Sequence, residues 1–164
     1  MKLIAFLLLF SFSLPGMTQN FAHLNVDEVL YCMPEYDSAQ LQMTRMRDEM
    51  QKVLQEKILD YEKLTIKYQD IEHSDTTEEF KAMLIQNIKQ EEMRIQEMQQ
   101  YMEVQLIDEE KILSEQIRVK LMMVIKAYAA DNLYDWVFDS GSAGVLITPS
   151  SKDITSNIKA LLCQ

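Results

Sequence analysis

The sequence predicts an α+β fold in which a long antiparallel helical hairpin projects, like a tentacle, from a small β-rich body. Three observations carry this. Between Pro34 and Asp131 there is no further proline and no glycine, and Glu, Gln, Lys, Met and Leu dominate. Such straight-chain residues lose little rotamer freedom in a helix. One polar break, His73-Ser74-Asp75-Thr76-Thr77, interrupts the run and puts a hairpin tip near residue 74. The segments that read as strands lie outside these limits, at residues 21–26 and beyond Asp131. At a rise of 1.5 Å per residue the arms should reach about 55 Å and about 80 Å, too long for one small core to enclose. Most of the chain is therefore expected to face solvent or line a shared cavity.

The expected division is a signal peptide over residues 1–18, a hairpin over residues 34–131, and a body made of residues 19–33 and 132–164. The first segment opens with Lys2, continues in an apolar run to Leu14 and ends in Pro15-Gly16-Met17-Thr18. A charged start, an apolar middle and small residues near the end are the order of a secretory signal peptide, with cleavage expected between Thr18 and Gln19. The run is short for a membrane-spanning helix. The whole chain of 164 residues carries a formal charge of -10. So acidic a chain repels phosphate backbones and anionic membrane surfaces, which argues against nucleic acid as a partner.

Residues 21–26 alternate apolar with small or polar side chains, as a strand with one buried face would. Asp27 is expected to cap a single helical turn, and Pro34 suits the first position of the first arm. Along that arm Met43, Met46, Met50, Leu54, Ile58, Tyr61, Leu64 and Tyr68 form an apolar stripe, with Asp48 and Lys52 as an i,i+4 pair on the outer face. Thr76 is expected to cap the return arm in a capping box. There Leu84, Ile95, Leu106, Ile117 and Tyr128 recur every eleven residues, as do Met102, Leu113 and Val124. That period predicts arms that are nearly straight or slightly right-handed. Glu91, Gln105 and Glu109 interrupt the stripe. Residues 134–139 and 145–148, joined by a glycine-bearing loop, read as a hairpin of two strands. A last helix follows, capped by Asp153 or Thr155 and apolar at Ile154, Ile158, Leu161 and Leu162. Two strands alone are marginal in water, so the body should need the early strand and neighbouring copies of the chain.

No catalytic arrangement converges. His23 and His73 have no ligand partner at helical spacing, and neighbouring carboxylates such as Glu109 and Glu110 point to different faces of a helix. No metal and no cofactor is expected. Cys32 and Cys163 fall in the two pieces of the body; in an exported protein they can pair, but the unpaired state is the heavier reading. The hairpin methionines have two readings. They fill an uneven seam between helices, or their flexible thioethers offer a non-specific apolar surface. Met43, Met46, Met50, Met83, Met93, Met98 and Met102 are the client-binding candidates, with Met43 and Met93 expected to lie off the seam.

The run Tyr134-Asp135-Trp136-Val137-Phe138-Asp139, the Gly144-Val145-Leu146 entry, the run Ser151-Lys152-Asp153-Ile154-Thr155 and the Met33-Pro34-Glu35-Tyr36 helix start resemble the Skp/OmpH family of periplasmic chaperones. The resemblance spans essentially the whole chain after the leader. It implies a homotrimer whose strands form a common body, with three hairpins around a cavity that holds unfolded outer-membrane proteins without ATP or cofactor. Leu24, Val26, Val137, Val145 and Ile147 are the expected oligomerisation residues. One departure stands out. Well-known members are basic, whereas residues 34–131 hold 13 basic against 21 acidic residues here. A grip on anionic lipid is therefore not carried over. The expected function is a periplasmic holdase for β-barrel precursors; an exported coiled-coil scaffold or envelope spacer is the alternative, and an enzyme is the least supported class.

Overall fold

A computed structural model describes residues 19–142 and 148–164. The leader through Thr18, and with it one side of the expected cleavage point, lies outside the described residues, as does most of the expected second strand, including Val145 and Ile147.

The body begins with β1 (Phe21–Leu24) and a short helix α1 (Val26–Leu30). Asn25, not Asp27, caps α1: its side-chain oxygen accepts from the Glu28 N–H at 3.2 Å. Asp27 instead sits in the first turn, where its negative charge suits the helix dipole. The first arm is α2 (Pro34–Glu72) and the return arm is α3 (Glu78–Asp131). At the tip Thr77 caps α3 by accepting from the Phe80 N–H, one residue later than expected; Thr76 is bonded to the Ser74 hydroxyl instead. The arms are antiparallel, as the cross-arm pairs Lys67–Phe80, Gln42–Glu109 and Glu35–Lys120 record. With 39 and 54 residues, α2 and α3 run about 58 Å and about 81 Å. The excess of α3 continues past the start of α2 into the body.

After α3 comes β2 (Trp136–Asp139), then a 3-10 turn (Ser150–Lys152) and α4 (Thr155–Leu162). Among the described residues β2 pairs with β1, in parallel, with Phe21 opposite Trp136 and Leu24 opposite Asp139. Asn20 ties the strand ends together. Its N–H donates to Asp135, its amide to the Leu133 carbonyl, and its side-chain oxygen accepts from Lys152 at 2.7 Å. The expected alternation of β1 does not hold: Ala22, His23 and Leu24 are all buried. Helices cover one face, and the residues before α4 pair with the other edge of β1, where Asp153 bridges His23 and the Ile154 N–H donates to the His23 carbonyl.

The core lies in this base. Ala22, Leu24, Val29 and Met33 pack with Ile117, Leu121 and Ile125 of α3 and with Ile154, Ile158 and Leu162 around α4. Cys32 and Cys163 are disulfide-bonded, with Cα atoms 5.3 Å apart, contrary to the unpaired state favoured from sequence. The packing of α4 against α1 brings the two cysteines together, a contact that sequence spacing alone does not encode.

Candidate client-holding and self-association surfaces

The eight-residue stripe of α2 from Met43 to Tyr68 is half-buried at every position, and no residue of α2 is fully buried. Two helices alone can only half-cover each other. On α3 the rows spaced by eleven face the same seam, with Leu84 and Ile117 fully buried. The polar interruptions are real features of that seam. Glu91, Gln105 and Glu109 are half-buried. Glu109 accepts from the Gln42 amide at 2.6 Å, and Glu91 takes Arg94 as an ion-pair partner. Beside Glu91 a cleft of about 360 Å³ is lined by Lys57 of α2 and by Ile95, Met98 and Tyr101 of α3. Asp48 and Lys52 form no ion pair; the ion pairs within the arms are at i,i+3, as in Asp60–Lys63, Glu78–Lys81 and Glu115–Arg118.

The candidate methionines divide. Met46, Met50, Met98 and Met102 are half-buried in the seam. Met43 joins them, against expectation, because it lines a recess with Tyr36, Arg47, Leu113 and Ile117. Its place in the apolar stripe gave that position away. Met83 and Met93 are exposed, and Met122 and Met123 are too. The exposed apolar surface of the arms is not chiefly methionine. Leu41, Leu59, Ile66, Val104, Ile107 and Ile112 contribute to it.

In the body Leu24 is buried in the chain's own core, and Val26 and Val137 pack against it. They lie on the inner face of the sheet or beside it. The opposite face carries Phe21, Trp136 and Phe138, all exposed, with Phe21 and Phe138 edge-to-face at 6.4 Å between ring centroids. These aromatics were not among the residues expected from sequence. The alternation of residues 134–139 separates Trp136 and Phe138 from Val137, but it does not tell which set faces inward. Lys152 lies within 6 Å of the Phe21 and Tyr134 rings, a cation–π arrangement that fixes the rim of this face.

The charged groups of the body are structural. Burial would raise the pKa of the Asp139 carboxyl, yet donation from the Ser142 hydroxyl and from the Gly141 and Val26 N–H groups outweighs it and holds the group below the usual range. The Asp153 carboxyl is likewise lowered, by the Thr155 hydroxyl and N–H and by His23 nearby. His23 is buried, its Nε2 3.1 Å from the Pro149 carbonyl. Among the described residues no cluster of three or more His, Cys, Asp or Glu side chains could hold a metal ion, and no helix is long and apolar enough to cross a membrane.

A family model described as outer membrane protein (OmpH-like) matches residues 20–162, from the start of the body to the end of the last helix. Comparison with curated proteins gives no match.

Proposed function

The chain belongs to the OmpH-like outer membrane protein family, and from that premise we propose that it is an ATP-independent periplasmic holdase rather than an enzyme, exported by its N-terminal segment. Its clients are unfolded outer-membrane β-barrel precursors, whose lipid-facing apolar residues aggregate in water. One observation carries this reading: helical arms of about 58 Å and 81 Å expose apolar side chains along their length above a compact base. Weak contacts spread over such arms restrain a chain without folding it. The domain reading follows: residues 34–131 hold the client, and the base assembles the particle as a homotrimer. The sheet, two-stranded among the described residues, with its aromatic face of Phe21, Trp136 and Phe138, supports that assembly, since so exposed an aromatic face gains stability from further packing.

The test is light scattering from a urea-unfolded outer-membrane barrel protein diluted with and without this chain. Suppression at near-stoichiometric ratio is the expected result, and unaltered aggregation removes the proposal. If pull-down then finds one dominant folded partner, the scaffold alternative takes its place. Trp136→Lys should dissociate the trimer in a mass measurement and abolish holding. A monomeric variant that still holds its client overturns the link between assembly and function.

A further inference from the structure

The eleven-residue period that builds the seam also builds a second stripe on α3, beside the seam and meeting its cleft at Glu97 and Tyr101. Met93 and Val104 are eleven apart, as are Tyr101, Ile112 and Met123; Val119 lies between them. All six are exposed, from 48% at Val119 to 64% at Met123. The other positions of the same face, stepping by four, four and three residues from 93 to 123, are Glu97, Asp108 and Glu115. No lysine or arginine occupies these positions, and Lys57 and Arg94 border the face only at the cleft beside Glu97 and Tyr101. Glu115 is bidentate with Arg118, while Glu97 and Asp108 have no ion-pair partner among the described residues. A solvated helix face is ordinarily polar throughout, and six apolar side chains in a row of about 45 Å mark a surface for contact.

We propose that this face takes an unfolded polypeptide segment in which apolar side chains are interleaved with lysine or arginine. The inference rests on the holdase reading and names the client class for it. The apolar rows supply contact that is indifferent to sequence. The carboxylates select by charge: they attract cationic side chains, whose aliphatic stems can lie along Tyr101 and Ile112, and they repel acidic segments. Glu97 and Asp108 are roughly 16 Å apart along the helix axis, which about five residues of extended chain would span. A second copy of the same face is disfavoured, because it would set carboxylate rows against each other. Anionic lipid is disfavoured for the same reason.

One outer-membrane barrel protein, unfolded in urea and labelled with a fluorophore, provides the probe in two forms. The first is untreated; in the second, succinylation has turned its lysine ammonium groups into carboxylates on the same chain. Binding is read by anisotropy after dilution. The trimer should bind the untreated form at least fivefold more tightly, and the preference should shrink when salt screens the charges. Glu97→Lys with Asp108→Lys should reverse the preference while circular dichroism stays unchanged. Tyr101→Gln with Ile112→Gln should weaken binding of both forms. Equal binding of the two forms, or a preference that the charge reversal leaves intact, overturns the inference while the holdase reading stands. Binding of neither form removes that reading as well. A change of oligomeric mass in the Tyr101/Ile112 variant would show that another copy covers this face, and that too overturns the assignment.

Discussion

At the end of α3 a leucine stands where the backbone calls for glycine. Leu133 has φ 57°, the left-handed region, and is 80% exposed. The Tyr134 N–H donates to the Ala129 carbonyl and the Leu133 N–H to the Ala130 carbonyl, the paired bonds of a Schellman motif. A side chain at that position collides with its own carbonyl and costs about 1–2 kcal/mol. Leu133→Gly should therefore stabilise the fold by about 1 kcal/mol, since an exposed leucine forfeits little burial. A urea midpoint that is unmoved or lower refutes this. Residue-scale chemistry also sets the acid limit. Asp139, Asp153 and Glu35 all have lowered pKa values in the folded chain, Glu35 chiefly through its hydrogen bond with Lys120. A carboxyl with a lowered folded pKa stabilises fully above its unfolded value, about 4, and loses that contribution as pH falls through the folded value. Stability should thus decline below about pH 4, and Asp139→Asn should make the decline shallower. Identical acid limbs in the variant and the parent would contradict the role given to Asp139.

The helical arms were largely legible as elements, and the reasons show where legibility stops. The stripe from Met43 to Tyr68 is the seam of α2, because a helical period needs only local sequence. The rows of α3 were harder. Tyr101, Ile112 and Met123 share the period of Met102, Leu113 and Val124 and precede them by one residue. Period alone cannot say which row faces α2, and that explains why the outer stripe went unread. The cap at Thr77 was missed by one residue because Thr76, with Glu79 three residues on, fits a capping box, whereas Thr77, the residue that caps, has Phe80 at that position. The pairing of β1 with β2 was invisible for another reason. It joins Phe21–Leu24 to Trp136–Asp139, segments far apart in the sequence, through backbone bonds that carry no side-chain signature. The seam itself makes a prediction. Gln105 and Glu109 are polar groups at half-buried apolar positions. Gln105→Leu with Glu109→Leu should stiffen the hairpin and raise stability by about 1–2 kcal/mol. Thermal unfolding followed by circular dichroism should show a higher midpoint. A fall would mean that the Gln42–Glu109 hydrogen bond outweighs the added apolar contact.

For the whole molecule the difficulty is one of proportion: long arms stand on a small base. No residue of α2 is fully buried, and the arms meet the body through Met33 at one end and Ile117, Leu121 and Ile125 at the other. The base closes the open end of the hairpin. Cys32 and Cys163 act on that weakness, because their bond spans a sequence separation of 131 and encloses both arms. In the unfolded chain such a link removes loop-closure entropy equivalent to roughly 5 kcal/mol in the chain-entropy model, and residual structure usually reduces the measured effect to about 2–4 kcal/mol. The bond also holds α4 against the end of α1, where Ile158 and Leu162 complete the core. Cys32→Ser with Cys163→Ser should therefore lower the unfolding free energy by about 2–4 kcal/mol. Urea titrations at fixed protein concentration, with and without reductant, check this and keep subunit assembly from shifting the comparison. Reductant should move the parent toward the variant and leave the variant unchanged. If the parent's midpoint does not respond to complete reduction, the apolar packing of the base suffices by itself, and the cysteine pair is not what secures the arms.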